Sequence, residues 1–507
     1  MTQRIKNIVI IGGGTAGWMT AGLLAARHPD RSLDGISITV IESPDIPTVG
    51  VGEGTWPTIR KTLSRIGIKE EDFLRRCDAS FKQGSRFDGW VNGDVSDSYH
   101  HPFELPVSRN ANELLHAWKT YAPDMCFAEA VCVQSSPSQD GLAPRQKSMP
   151  EYFGAMNYAY HLDAVKMSAV LRDHAVQALG VVYISDHVTK VIGDKDDDIE
   201  GVLTRNHGQV LGDLFIDCTG QKSLLLGGHY GVDFIDQSHI LFNNRALVTR
   251  LPVAADAPIT SQTISTAHEA GWIWDIGLPT RRGIGCVYAS DYMSDTRAEE
   301  VLFNYVGSTD YETRKLSFTS GHREHFWHRN CLAIGLSAGF LEPLEASAIV
   351  LVELSADMLA DNLPVTRADM DIDARKFNDI FKYRWARIID FLKLHYVLSK
   401  REDPYWMNNR DAHSIPQRLQ EYLEMWKHRP PVQSDFEHAS EIFPASSYHF
   451  VLYGMGFPAV AHPTLKPVLQ DALKQKMGAM MQKQKKFAAG LPTNRALLAG
   501  LQKASTQ

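Results

Sequence analysis

The chain has 507 residues, of which 44% are hydrophobic, and its formal net charge is −7. This length allows two or three domains with large buried cores. The negative balance argues against nucleic acid as a partner, although residues 471–507 are rich in lysine and arginine and are expected to form a solvated helix. No apolar run approaches the roughly 20 residues that cross a bilayer, and the first strand breaks at glycine too early for a signal peptide. A cytoplasmic protein without membrane contact is therefore expected.

Cysteine and histidine spacing gives no sign of a disulfide framework or a metal site. The six cysteines are scattered without a C-x-x-C pair, so reduced and mostly buried thiols are expected. His322, His325 and His328 recur at three-residue spacing, but no carboxylate or cysteine pattern accompanies them. We therefore predict no metal site. The cysteines are Cys77, Cys126, Cys132, Cys218, Cys286 and Cys331.

The first chemical motif is a glycine-rich turn near the start of the chain. The apolar segment 7–11 predicts a strand, and Gly12-x-Gly14-x-x-Gly17 leads from it into a helix. In such a turn, Gly12 permits the tight bend, and Gly14 lets a pyrophosphate approach the backbone. Gly17 lets the helix pack against the strand. The pattern predicts a nucleotide site.

Further residues extend this nucleotide site. Thr15 and Ala16 open the helix, so their N–H groups are expected to face the phosphates. The second predicted strand, "SITVIES", ends at Glu42, whose carboxylate is at the right distance along the chain to accept ribose hydroxyls. Strand, turn, helix and acid together predict a βαβ unit that binds a dinucleotide.

FAD is favoured over a nicotinamide as the cofactor. A nicotinamide-dependent flavin reductase normally has two such motifs, and this sequence has one. Instead, "GDLFIDCTG" ends at Gly220, and a later strand leads into a bend at Gly335. Both segments resemble those that return to the flavin in the FAD-binding fold of the glutathione-reductase and hydroxybenzoate-hydroxylase type. The expected fold is α/β, or α+β overall, with FAD held without its own NAD(P)H domain.

Four further stretches carry a more specific resemblance. From residue 8 to about residue 460 the chain resembles the flavin-dependent tryptophan halogenases. The resemblance implies that reduced FAD from a separate flavin reductase, dioxygen and chloride or bromide give hypohalous acid. This acid then halogenates an indole or a similar electron-rich aromatic ring. The four stretches are "VGVGEGTWPTIR" (49–60), "SFKQGSRFDGW" (80–90), "GWIWDIGLP" (271–279) and "GFLEPLEASAI" (339–349).

Two residues carry the catalytic expectation. On composition alone, Lys82 would be a surface cation, and Glu345 with Glu342 would complement a helix dipole. The resemblance implies that Lys82 handles the hypohalous acid, either as an ammonium donor or as a neutral amine that is halogenated, and the sequence leaves both open. It also implies that Glu345, not Glu342, stabilises the cationic ring intermediate and accepts its proton.

The resemblance also assigns a halide site and a barrier. Backbone N–H groups of Ser347 and Ala348 would bind halide, where the family more often has Thr-Gly, so the preference between chloride and bromide stays open. Trp272 and Trp274 alternate as in a strand, which on its own indicates packing on one sheet face. By resemblance they separate the flavin from the substrate cavity, although Gly277 stands where proline is usual.

The glycine-rich loop with Gly52, Glu53 and Gly54 is expected, by resemblance, to form part of the flavin pocket. Residues 1–360 are predicted to form the FAD-binding domain, with an inserted sheet and loops, and residues 361–507 a mainly helical substrate module. Acceptance of free tryptophan and a homodimer are both left open. Two alternatives also remain, a flavin monooxygenase of aromatic substrates and a non-catalytic flavin-binding relative.

Overall fold

The computed structural model describes residues 4–32, 35–46, 50, 52–94, 96–438, 441–458 and 467–504. Val49 and Val51 of the predicted flavin loop lie outside these residues, as does the end of the basic tail, 505–507. The chain folds into two compact units, each built from three segments. The first unit is Met1–Ala79, Leu162–Gln237 and Thr319–Trp385, and the second is Ser80–His161, Ser238–Phe318 and Ala386–Gln507. The single boundary after residue 360 stays a sequence prediction, and these units divide the chain elsewhere.

The first unit is organised around a six-stranded sheet. Its central strand, Asn7–Ile11, pairs in parallel with Leu214–Asp217 on one side and Ser37–Glu42 on the other. Ile11 stands opposite both Asp217 and Ile41, so the carboxyl ends of the three strands meet at one edge. This edge is where open parallel sheets bind ligands. In spatial order the strands are Trp327–His328, Cys331–Ala333, Leu214–Asp217, Asn7–Ile11, Ser37–Glu42 and Val182–Ser185.

Helices and smaller sheets complete the first unit. The apolar helix Thr15–Arg27 packs against Ala164–Gln177 and Ser347–Asp361, and small residues such as Ala21 and Gly22 are buried along it. The other helices are Thr58–Ile66, Glu70–Arg76, Gly220–Lys222, Leu224–His229, Gly335–Ser337, Leu344–Ala346 and the first part of Arg367–Val397. Two three-stranded antiparallel sheets consist of Val188–Ile192, Gly201–Thr204 and Gln209–Leu211, and of Phe234–Asp236, Gly321–Arg323 and Gly339–Phe340. Glu53–Gly54 is a further short strand.

The second unit contains a seven-stranded sheet. Its strands run antiparallel, except that Thr263–His268 pairs in parallel with Gly84–Asp88. Strand Gly271–Gly277 lies inside the sheet and is buried along its whole length. In spatial order the strands are Arg314–Ser317, Arg245–Pro252, Arg281–Tyr288, Gly271–Gly277, Thr263–His268, Gly84–Asp88 and Ser98–Pro102. Ser80–Lys82 pairs separately with Ala159–Leu162.

The helices of the second unit come from all three of its segments. The C-terminal segment is mainly helical, as the apolar spacing predicted. The helices are Ala111–Tyr121, Phe127–Val131, Ser135–Gln139, Asp295–Val306, Pro404–Asn409, Ala412–Ser414, Gln417–Trp426, Gln433–Asp435, Ala445–Gly454, Pro467–Gly490 and Asn494–Ala504, together with the end of Arg367–Val397.

The predicted state of the cysteines is confirmed. All six are free thiols, four of them buried and two half-buried. In the part of the chain that the structure describes, no helix combines the length and apolar character that a bilayer crossing requires.

Candidate active site

The glycine-rich turn is tightly packed at two of its glycines and open at the third. Gly12 has φ +112°, and a Cβ there would lie 2.1 Å from the carbonyl oxygen of Cys218. A Cβ at Gly17 would lie 1.9 Å from the Gly12 oxygen. In contrast, a Cβ at Gly14 would meet no described heavy atom within 4 Å. Packing therefore requires glycine at positions 12 and 17, whereas Gly14 leaves space beside the backbone for a ligand.

A cavity of about 510 Å³ lies at the carboxyl ends of the parallel strands. Most of the predicted cofactor residues line it, and so do both residues of the predicted halide site. Gly17 packs beneath the turn, and Gly52 and Gly54 flank Glu53. The predicted residues that line the cavity are Gly12, Gly14, Thr15, Ala16, Glu42, Glu53, Gly220, Gly335, Ser347 and Ala348.

One side-chain oxygen of Glu42 has no hydrogen-bond partner among the described residues. This oxygen, Oε2, is buried. Buried polar atoms nearly always have partners, so this oxygen is placed to accept from hydroxyls of a bound molecule. Gly13, which the glycine motif did not single out, is a further close contact: a Cβ there would lie 2.2 Å from the Glu42 Cδ atom. Glycine there lets the carboxylate approach the turn.

The acid in the glycine-rich loop has an altered protonation equilibrium. Burial raises the pKa of Glu53 to about 7, and the negative charge of Asp163 adds to the effect. Glu53 lines the cavity and is expected to exchange its proton near neutral pH.

The cavity also has an aromatic wall, which the sequence motifs did not predict. Phe377, Phe381 and Trp385 line it from one helix face, and Phe326 stacks on Trp385 with ring centroids 6.0 Å apart. The four-residue spacing places these side chains on one side of a helix. That spacing was the available signal, but it is equally typical of a core helix.

The chain enters the helix Ser347–Asp361 through two left-handed residues. Glu345 has φ +62° and Ala346 has φ +54°, a region that non-glycine residues rarely adopt. The first N–H groups of a helix have no intrahelical partner, and the helix dipole makes this end attractive to anions. Ser347 and Ala348, the first two residues of this helix, line the cavity. Glu345 itself is 7% exposed.

The same helix carries a buried acid at Glu353. Its carboxyl oxygens form hydrogen bonds with the hydroxyls of Thr62, at 2.6 Å, and of Thr58, at 3.2 Å. Burial nevertheless raises the pKa of Glu353 to about 8. At neutral pH the folded protein therefore holds this side chain as the neutral acid.

We expect Glu353→Gln to change how stability depends on pH. The pKa of Glu353 rises from 4.5 to about 8 on folding, so the folded state holds a proton that the unfolded state releases between these values. Stability from this group is complete below 4.5 and falls as pH rises, by up to about 1.4 kcal/mol per pH unit. Glutamine has no proton to lose. Chemical denaturation should show the variant gaining stability relative to the parent from about pH 5 to about pH 8, and parallel profiles would contradict the assignment.

Lys82 is buried, in contrast to the expectation from composition. It ends the strand Ser80–Lys82 with 1% of its surface exposed, and its Nζ lies 5.4 Å from the centroid of the Phe103 ring. His161 stands opposite Ser80 in the paired strand, and its Nε2 lies 2.8 Å from the Thr263 hydroxyl. Burial, and secondarily the Lys82 charge, hold the pKa of His161 well below its usual range. The ring beside the lysine is therefore neutral.

The predicted tryptophan pair lies in the same unit as Lys82. Trp272 and Trp274 project from one face of a strand, with ring centroids 6.2 Å apart. The Trp274 indole lies so close to the backbone of Gly285 that a Cβ there would be 2.1 Å from the ring. At the end of this strand, the Gly277 carbonyl accepts a 2.6 Å hydrogen bond from the Ser80 hydroxyl, which joins the strand to that of Lys82.

The sequence-predicted residues thus divide between the two units. FAD-binding candidates, Glu345 and the halide residues belong to the first unit, whereas Lys82 and the tryptophan pair belong to the second. That Lys82 and Glu345 meet in one cavity stays a prediction.

These features identify a class of protein. The parallel sheet, the glycine turn and the unpartnered Glu42 oxygen fit the adenosine and pyrophosphate of FAD, so this is a flavoprotein with the FAD-binding fold. The family model described as tryptophan halogenase matches residues 7–470. The chain therefore belongs to the tryptophan halogenase family. It is an enzyme, a flavin-dependent halogenase, and FAD and halide are the cofactors of its chemistry.

Individual relatives support the assignment along the whole chain. A tryptophan halogenase from Shewanella frigidimarina NCIMB 400 matches this structure with a TM-score of 0.95 and 47% identity, over 98% of each chain. The 7-chloro-L-tryptophan 6-halogenase KtzR from Kutzneria sp. is 33% identical over 97% of this chain and 99% of its own length. BrvH, a flavin-dependent halogenase from Brevundimonas sp. BAL3, matches with a TM-score of 0.86 and 30% identity, over 98% of this chain and 99% of its own.

The open space at Gly14 yields a prediction about FAD affinity. We expect Gly14→Ala to leave the apoprotein as stable as the parent, because the new methyl group meets no described atom. FAD affinity should fall at least about 10-fold, because the methyl group occupies the pyrophosphate's approach. Thermal unfolding and flavin fluorescence measure the two effects. Gly12→Ala is the matched contrast and should destabilise the apoprotein itself. Unchanged FAD affinity in Gly14→Ala would contradict this placement.

Proposed function

We propose that this enzyme halogenates the ring of an indole compound or a similar electron-rich aromatic substrate, with chloride or bromide as the halogen source. A separate flavin reductase supplies its reduced FAD. The observation that supports the proposal is the burial of Lys82, which has almost no exposed surface. The resemblance of the segment "SFKQGSRFDGW" makes this residue the candidate for the family's catalytic lysine. A lysine used only for solubility would not be buried.

The proposal assigns the first unit to cofactor and halide. Glu42 accepts the ribose hydroxyls of FAD, and the N–H groups at Thr15 and Ala16 face its phosphates. When bound and reduced, FAD supplies with dioxygen the oxidising power that converts halide to hypohalous acid. Ser347 and Ala348 hold the halide through their N–H groups at the positive end of the helix.

Under this proposal the halogenation step uses Lys82, the tryptophan pair and Glu345. The indoles of Trp272 and Trp274 form the barrier that keeps the substrate away from the flavin. Lys82 either donates a hydrogen bond to the hypohalous oxygen, which makes the halogen more electrophilic, or is halogenated as a neutral amine. The carboxylate of Glu345 stabilises the cationic ring and accepts the proton that leaves when aromaticity returns.

Several relatives are named for tryptophan, so tryptophan and free indole are the two substrates to compare. Each is incubated with the enzyme, FAD, a flavin reductase, NADH and either chloride or bromide, and the products are read by mass spectrometry. We expect a halogenated product that requires the reductase, dioxygen and halide. A hydroxylated product without halogen would instead favour an aromatic monooxygenase, and a protein that binds flavin without any product would contradict both. A cytoplasmic location stays a sequence prediction.

A further inference from the structure

The side chain of Trp56 connects the glycine-rich loop to the start of the helix Ser347–Asp361, called the halide helix below because it begins with the proposed halide residues. Its indole Nε1–H donates a 2.7 Å hydrogen bond to the backbone carbonyl of Glu345. Both residues belong to the first unit, although 289 positions separate them in the sequence. The proposed catalytic acid therefore has its own backbone carbonyl held by a residue outside its segment.

The peptide that receives this bond is strained. Glu345 and Ala346 both adopt left-handed backbone conformations, at φ +62° and +54°. Consecutive non-glycine residues persist in this region only when their surroundings fix them. The peptide N–H on the other side, at Ala346, donates to the Pro343 carbonyl at 3.0 Å. Both the carbonyl and the N–H of the Glu345–Ala346 peptide are thus hydrogen-bonded. Of these two bonds, the one from Trp56 comes from outside the turn.

Trp56 is itself fixed relative to the halide helix. Trp56 lies two residues before the helix Thr58–Ile66. Polar contacts connect that helix to Ser347–Asp361. Thr62 bonds to Glu353 at 2.6 Å, and Arg65 forms an ion pair with Asp357 at 2.8 Å. The Trp56 indole and the turn at Glu345 are therefore both attached to the helix Ser347–Asp361.

We propose that Trp56 is a positioning residue, which holds the Glu345–Ala346 turn so that the first N–H groups of the halide helix stay at the cavity. The inference rests on the proposed function, because it gives Ser347 and Ala348 a halide to bind. It links the glycine-rich loop that contains Trp56 to the segment that contains Glu345, two motifs that are far apart in the sequence. It also gives the indole N–H a use that a purely apolar side chain at this position could not supply.

The test is Trp56→Phe, which keeps an aromatic ring and removes the N–H donor. We expect the KM for bromide, and the Kd for bromide measured by flavin absorbance, to rise about 3- to 10-fold, the effect of one lost hydrogen bond. The affinity for FAD should stay within about two-fold, because Trp56 does not line the cavity. A residue that only supports the fold would lower the fraction of active protein without changing the bromide constants.

The chain offers a matched control in Trp327→Phe. The Trp327 indole also donates to a carbonyl, that of Arg329 at 3.0 Å, and Arg329 is likewise left-handed at φ +51°. Trp327 does not line the cavity. Both variants lose the same kind of bond, so both should lose stability, but only Trp56→Phe should alter the bromide constants. Equal bromide constants in the two variants would overturn the inference.

A second substitution at the turn tests whether the role of Trp56 is to stabilise the left-handed backbone. Glycine adopts the left-handed region readily, so Ala346→Gly makes the turn less dependent on the indole. Trp56→Phe combined with Ala346→Gly should restore the bromide constants to within about two-fold of those of the parent. Adding Arg329→Gly instead should not. Failure of the rescue overturns the strain argument. If the parent enzyme gives no halogenated product, the proposed function fails, and the bromide Kd still decides the role of Trp56.

Discussion

Lys82→Ala is expected to lower kcat/KM for halogenation by at least about 10³-fold while FAD binds as in the parent. The reason is that the ammonium, or its neutral amine, is the group that activates or carries the halogen, and alanine offers neither. FAD affinity is expected to persist because the predicted FAD residues lie in the other compact unit. Product formation is followed by mass spectrometry and FAD binding by fluorescence. Halogenation at the normal rate would show that the lysine is not part of the chemistry.

Two further variants separate lost chemistry from lost packing at this site. Lys82→Met keeps most of the buried side-chain volume and should be as inactive as Lys82→Ala. Lys393 is another buried lysine of the same unit, whose Nζ donates to the Ile240 carbonyl at 3.0 Å and to the Asn409 amide oxygen at 2.7 Å. Lys393→Met should lower the melting temperature and retain halogenation by the folded protein. Loss of activity in both lysine positions alike would point to a general effect of removing a buried cation.

Glu345→Gln is expected to slow halogenation by about 10²- to 10³-fold, mainly in kcat. Glutamine preserves the size of the side chain but neither stabilises a cationic ring nor accepts its proton. Bromide and FAD constants should stay close to those of the parent, because the N–H groups of the following helix are unchanged. Steady-state kinetics with an indole substrate measures whether the loss lies in kcat or in the bromide and FAD constants.

Glu353→Gln serves as the control for this carboxyl. Glu353 is also buried and lies eight positions further along, on the helix that Glu345 precedes, but it does not line the cavity. Its variant should halogenate normally and differ only in the pH dependence of stability. If both glutamine variants lost activity to the same extent, the assignment of Glu345 as the proton acceptor would be wrong.

Much of the cavity at the carboxyl ends of the parallel strands could be predicted, because its signals are local. The turn from Gly12 to Gly17 joins a strand to a helix, and both elements are visible as apolar patterns. Glu42 follows as the end of the next strand, and the register of the parallel strands brings it to the same edge. Each step depends on neighbouring residues, which a single sequence shows directly.

Other features depend on contacts between distant segments, and the sequence does not contain them in readable form. Lys82 is buried on a strand that pairs with residues 159–162, and composition alone, which would place a lysine at the surface, does not reveal this pairing. The left-handed turn at Glu345 has no glycine to mark it, and its support from Trp56 spans 289 positions. The alternation of segments between two compact units likewise follows from long-range packing and not from any linker.

The most direct test of the account uses isotopically labelled dioxygen with bromide and an indole substrate. We expect the aromatic product to carry bromine, seen as its isotope doublet, and to contain no oxygen label. Lys82→Met should abolish this product under the same conditions. An aromatic product that carries the oxygen label and lacks bromine would contradict the account, because oxygen would then reach the ring directly.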